Sequence, residues 1–166
     1  MKIIPHKSIL VIRVNDFKEY SFIKEHRDIL LTNGSVSMLK AGRPLAEKSI
    51  SKVMDDGAIM LLKASKKTGG KYYASHIKNV QTGSASDNSD YPQYYLELQK
   101  SGISLNGTWL QLDEITEVSD EAIGEFRLVK GGKLMSDIVS CTRSPILFVQ
   151  TERTLIEKDG LMVVEK

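Results

Sequence analysis

The stretch from Gly57 to Val80, GAIMLLKASKKTGGKYYASHIKNV, constrains this chain more than any other, and the remaining residues have to be organised around it. Ala58 to Leu62 is an apolar run of strand length. Lys71 to Val80 is a longer run with aromatic and β-branched residues. Between them, Thr68-Gly69-Gly70 supplies the positive-φ residues that a hairpin connection needs. Lys63, Lys66, Lys67 and Lys71 sit on and beside that turn. Cations next to aromatics suit a nucleic-acid surface, because cations meet phosphates and aromatic faces stack on bases. Lysines at strand ends also blunt sheet edges, so a solvated hairpin tip is the competing reading.

A length of 166 residues predicts one domain with a real core. A net charge of +2 permits nucleic-acid binding without arguing for it, so any such argument rests on where the charges fall. Cys141 is the only cysteine, which excludes a disulfide framework or a four-cysteine zinc site and suits a reducing compartment. Met1 to Lys7 carries neither a long apolar run nor a small-residue cleavage site, and no stretch approaches the roughly 20 apolar residues of a membrane span. The expected address is the cytoplasm, with no membrane partner.

In chain order, Ser8 to Val14 reads as a strand. Asn15 or Asp16 is placed to cap a helix whose face runs through Phe17, Tyr20, Ile23, Ile29 and Leu30 and which ends at Asn33-Gly34. Ser35 to Lys40 is extended. Pro44 opens a second helix carrying Ala46, Ile50 and Val53, and the hairpin comes next. Gln81 to Asp90 is a polar, low-complexity loop. Tyr91 to Tyr95 then holds three tyrosines in five residues. Thr108 to Val118 contains a strand with Trp109 and Gln111 on one face and Leu110 and Leu112 on the other. Phe126 to Val129 is a short strand, Lys133 to Ser140 a helical turn, Ile146 to Gln150 a buried strand, and Leu161 to Val164 a last strand or a tail. Strands outnumber helices without alternating with them. This predicts an α+β fold: a small, mixed, mostly antiparallel β-barrel flanked by two or three helices, over residues 1–150. Residues 151–166 read as a C-terminal extension, a linker to further domains of a parent protein.

Catalytic signatures are sparse. GxxxxGK[ST], GxGxxG and GxSxG are absent, and His6, His26 and His76 stand apart from one another with no metal-ligand spacing. No metal and no cofactor is expected. Glu97, Asp113 and Glu114 are the acidic residues a small nuclease would use, but Glu97 lies in a Glu-x-x-Lys rather than a Glu-x-Lys spacing. Thr142-Arg143-Ser144 is a polar turn whose hydroxyls and guanidinium suit phosphate.

The order of these elements, from Ser8 to Gln150, resembles the EVE-like and YTH-like branch of the PUA-like superfamily. More narrowly it is similar to the N-terminal DNA-recognition domains of McrBC-type modification-dependent restriction systems. The residues that carry the likeness are Gly34 to Lys40, the hairpin ending in Tyr72-Tyr73-Ala74, Tyr91 to Tyr95, Trp109 to Leu112 with Glu114-Ile115, and Leu134 to Gln150 with Thr142-Arg143-Ser144. The resemblance implies a β-barrel that flips a modified, methylated base of double-stranded DNA into an aromatic pocket, with cleavage left to other domains or subunits of a restriction complex used in antiviral defence. Lys40, Arg43, Lys63, Lys66, Lys67, Lys71 and Arg143 would then hold phosphates. Ser37, Met38, Tyr72, Tyr73, Tyr94, Trp109 and Thr142 would shape the base pocket. The chain departs from the family pattern in having no aromatic in Val36 to Lys40. Tyr72 and Tyr73 alternate along a strand, so at most one of them lines any pocket. The alternatives are a small nuclease or RNA-processing enzyme on the same scaffold, and a protein–protein adaptor.

Overall fold

The computed structural model describes residues 1–56, 58–63, 70–85, 90–141 and 144–166. Its strands are β1 (Lys2–Ile3), β2 (Ile9–Val14), β3 (Val36–Ala41), β4 (Ala58–Lys63), β5 (Lys71–Gly83), β6 (Gly107–Leu112), β7 (Thr116–Val118), β8 (Phe126–Leu128), β9 (Ile146–Thr151), β10 (Leu155–Lys158) and β11 (Leu161–Val164). Its helices are α1 (Phe22–Asn33), α2 (Glu47–Asp56), α3 (Tyr94–Lys100), α4 (Asp120–Ile123) and α5 (Met135–Cys141).

The fold is α+β, and antiparallel pairing dominates. Among the described residues only β2 with β4 and β7 with β11 run parallel. The hydrogen-bonded order is β1-β10-β11-β7-β5-β4-β2-β9-β8, with β6 bridging β5 and β3 off that path. Among the described residues β1 and β8 remain two free ends, so no closed barrel is found.

β4 and β5 form and pair as their composition requires, while the expected turn at Thr68-Gly69 lies outside the described residues. β4 and β5 pair from Ala58↔His76 to Lys63↔Lys71. β5 is long enough to serve two sheets. Its first half lies between β4 and β7, and its second half pairs with β6 from Ile77 onward, across a register shift between Ile77 and Asn79. Such a bulge bends a strand and re-aims the residues beyond it.

β2 shows why two cores arise. It runs between β4 and β9, so both of its edges are paired, and each of its faces lies against a core. Leu10, Ile12 and Val14 point into one core with Phe22, Ile23, Met38, Val53, Leu110 and Leu112. Ile9 and Val11 point into the other with Ala74, Phe126, Met135, Leu155 and Met162. Period-two alternation fills both layers from one β-branched run.

α1 begins later than the spacing predicts. Its N-cap is Ser21, whose hydroxyl accepts the Lys24 N–H, and the Asp16 carboxylate accepts the Phe22 N–H at 2.9 Å from outside the helix. Phe17 to Tyr20 is instead a tight turn closed by two backbone bonds. Gly34 ends α1 at φ 77°, donating to the Leu30 carbonyl. α3 was not legible in the sequence. It spans 7 residues, too short for a helical period to stand out beside three tyrosines and a proline.

Residues 151–166, expected as an extension, supply β10 and β11, which pair between β1 and β7. Leu155, Met162 and Val164 are buried in the second core. Apolar residues alternating across a tight Asp159-Gly160 turn make this segment a hairpin, and burial ties it to the sheet. Among the described residues no helix is long and apolar enough to cross a membrane.

Candidate functional site

A cleft of about 340 Å³ opens where the end of β2, the turn at 15–17, β3 and α3 meet. Ile12, Val14, Phe17, Phe22, Met38 and Leu39 give it apolar walls, and Tyr94 and Tyr95 of α3 form its aromatic side. Arg13, Asn15, Asp16 and Lys40 supply the polar groups. A second cleft, of about 390 Å³, shares Lys40 and Pro145 with the first and adds Arg43, Ser49 and the 44–46 segment. Lys40 therefore stands between an apolar aromatic chamber and a more cationic one.

The aromatic side is built as a stack. Tyr20 lies over Tyr94 with centroids 5.3 Å apart, and Phe17 over Tyr94 at 6.3 Å. Tyr91 and Trp109 pack behind Tyr95 at 5.5 and 5.8 Å. Tyr94 and Tyr95 are neighbours on a helix, and their rings meet edge to face. The Tyr20 hydroxyl donates to Glu97 at 3.1 Å, tying the turn to α3.

A buried polar chain holds this wall. His26 Nδ1 lies 2.7 Å from the Phe22 carbonyl oxygen, which can only accept, so Nδ1 carries the proton. Burial pushes the imidazole down to about 4, which keeps it neutral. Its Nε2 therefore accepts, and the Tyr95 hydroxyl donates to it at 2.6 Å. The same phenol oxygen accepts the Leu39 N–H of β3 at 3.2 Å. Burial raises the Tyr95 hydroxyl well above its usual range, so it stays a protonated donor. One side chain thus links α1, α3 and β3.

Of the residues expected to line a base pocket, Met38 and Tyr94 line the cleft. Ser37 is buried on β3, and its N–H donates to the Asp90 carbonyl. Trp109 is 3% exposed, and its indole N–H donates to the Leu105 carbonyl, so it backs the wall from inside. Tyr73 packs in the first core under the Arg27 guanidinium and Tyr72 in the second, on opposite faces as alternation requires. Both are buried, and neither lines the cleft. Thr142 lies outside the described residues.

Of the expected phosphate contacts, Lys40 and Arg43 come together, the Lys40 ammonium donating to the Arg43 carbonyl at 2.9 Å. Lys71 is ion-paired with Glu117 at 3.2 Å, far along the sheet. Lys63 ends β4 opposite Lys71. Lys66, Lys67 and Arg143 lie outside the described residues. The acidic residues weighed for catalysis are dispersed: Asp113 pairs with the exposed His76 at 3.0 Å, and Glu97 holds Tyr20. Among the described residues no three His, Cys, Asp or Glu side chains gather as a metal site.

Sequence reasoning missed Phe17, His26 and Arg13, and left Tyr95 as a stacking candidate outside the base-pocket set. Arg13 donates to the Ser144 and Val139 carbonyls, fastening α5 and the start of β9 beside the cleft. The signal for Tyr95 was the run of three tyrosines within Tyr91 to Tyr95. His26 and Tyr95 are 69 positions apart, and no local pattern joins them.

No family model, curated protein or solved structure matches this chain.

Proposed function

We propose that this chain is a nucleic-acid recognition module that takes one unstacked base into the aromatic cleft and an adjacent phosphate against Lys40 and Arg43. The observation that carries the reading is the pairing of the two clefts through Lys40. An apolar chamber of about 340 Å³ flanked by tyrosines has room for a base, and every base offers a π-face and an apolar body. Cations within one nucleotide's reach would neutralise its phosphate. On this reading the curled sheet is a PUA-like, EVE-like barrel scaffold. Its ligand is double-stranded DNA carrying a methylated base, the base is flipped into the cleft, and the chain targets a modification-dependent restriction complex that performs the cleavage elsewhere. Flipping costs a few kcal/mol, recovered by stacking and phosphate contact.

The test is a binding titration against unmodified, N6-methyladenine and 5-methylcytosine duplexes at two salt concentrations. Salt-sensitive binding that strengthens with one modification is the expected result. Absence of binding to every duplex and to its separated strands at low salt would overturn the proposal.

A further inference from the structure

β3 is an edge strand: among the described residues it pairs with β6 alone. In an antiparallel ladder, backbone groups of alternate residues point toward and away from the partner. The Ser37 N–H goes to the Asp90 carbonyl and the Leu39 N–H to the Tyr95 hydroxyl, so the odd-numbered residues of β3 face away from β6. The Leu39 carbonyl and the Ala41 N–H share that direction, and both residues line the aromatic cleft. The His26–Tyr95 bond sets the polarity of this edge. It commits the Tyr95 proton to His26, so the phenol oxygen takes up the Leu39 N–H and leaves at Leu39 an acceptor only.

We propose that this acceptor–donor pair, the Leu39 carbonyl and the Ala41 N–H, reads the Watson–Crick edge of the base in the cleft. The inference rests on the reading of the cleft as a base site and deepens it. Adenine presents an exocyclic N–H beside a ring-nitrogen acceptor, and cytosine does the same. Each matches a carbonyl followed two residues later by an N–H on one strand edge. A base paired in a duplex has that edge occupied, so the ligand is an unpaired base, flipped or single-stranded. With Ser37 and Leu39 already engaged, the open edge is too short to add a peptide strand, which draws on a row of free backbone groups. Main-chain reading also explains how the cleft can be specific while Val36 to Lys40 carries no aromatic side chain.

Two arms test this. The first leaves the protein unaltered and compares a short single strand holding one adenine among abasic sites with the same strand holding 1-methyladenine, whose Watson–Crick edge is blocked. The second repeats the comparison with Ala41→Pro, which deletes the N–H that points away from β6 and so removes no ladder bond, with its fold checked by circular dichroism. The blocked base and the proline are each expected to weaken adenine-dependent binding roughly tenfold. The proline variant should no longer distinguish the two bases, and its salt dependence should be unchanged. Equal binding of adenine and 1-methyladenine by the wild type, or full discrimination by a folded Ala41→Pro protein, overturns the inference and leaves the nucleic-acid reading standing. Failure of the wild type to bind any strand at low salt overturns both. An extended peptide that displaces the strand and is itself lost with Ala41→Pro would assign the edge to protein instead.

Discussion

His26 and Tyr95 meet at 2.6 Å inside the protein, the imidazole of α1 accepting the phenol proton of α3. The contact is fully enclosed, and the tyrosine oxygen passes the connection on to the β3 backbone at Leu39. One hydrogen-bonded pair therefore sets the spacing of the three elements that wall the cleft.

Acid should loosen this junction in a defined window. Burial holds His26 down at about 4, against an ordinary value of 6.5. Between those values the unfolded chain takes up a proton that the folded protein refuses. The contribution is fully present above about pH 6.5 and is lost as pH falls toward 4, to a total of about 3 kcal/mol. Urea unfolding at pH 7.5 and 4.5 should show a steeper loss in wild type than in His26→Gln. Equal losses would show that His26 titrates normally.

Tyr95→Phe keeps the ring and removes the shared hydroxyl. His26 Nε2 and the Leu39 N–H then lose their partner together. The expected destabilisation is about 1–3 kcal/mol, because enclosed polar groups left unpaired cost their desolvation. Chemical denaturation measures it, and amide exchange at Leu39 should quicken beyond the global change.

Gly107 faces β3 where no side chain fits. A Cβ there would collide with the Lys40 carbonyl oxygen and crowd the Leu39 side chain. Gly107→Ala should destabilise by about 1–3 kcal/mol through strand displacement. Because Leu39 to Ala41 wall the cleft, base-dependent binding should fall as well. Gly34→Ala at φ 77° should cost about 1 kcal/mol and leave binding intact, which separates backbone strain from cleft geometry.

Lys40→Glu combined with Arg43→Glu should abolish nucleic-acid binding at physiological salt. At low salt it should flatten the logarithmic salt dependence by about two contacts' worth. The thermal midpoint should move little, since Arg43 is exposed and Lys40 only half-buried. Wild-type affinity in this variant would remove the second cleft from the site.

Leu155→Ala should cost about 2–5 kcal/mol, the amount expected for a fully enclosed leucine. A cost that large, read by urea unfolding as one cooperative transition, would mark the terminal hairpin as part of the core. A negligible one would mark it as peripheral.

Local chemistry by itself determined a good deal of this protein. Apolar and β-branched runs announced β2, β4, β5 and β9, and alternation announced β6 with Trp109 opposed to Leu110, because a strand's faces are written at every second residue. Asn33-Gly34 announced the end of α1, because few residues other than glycine tolerate a left-handed cap. The alternation of Tyr72 and Tyr73 likewise foretold that they would part company. Tertiary structure alone decided the rest. It moved the start of α1 to Ser21, where Asp16 reaches back across the turn, and it folded residues 155–164 into the sheet beside β7. It also chose which aromatics meet. Phe17, Tyr94 and Tyr95 line one cleft while Tyr72 and Trp109 pack elsewhere, because a pocket is an intersection of elements far apart in the chain. Only the register of β3 on β6 decides which of its backbone groups face that cleft, since every residue carries the same N–H and C=O and only the pairing gives them direction.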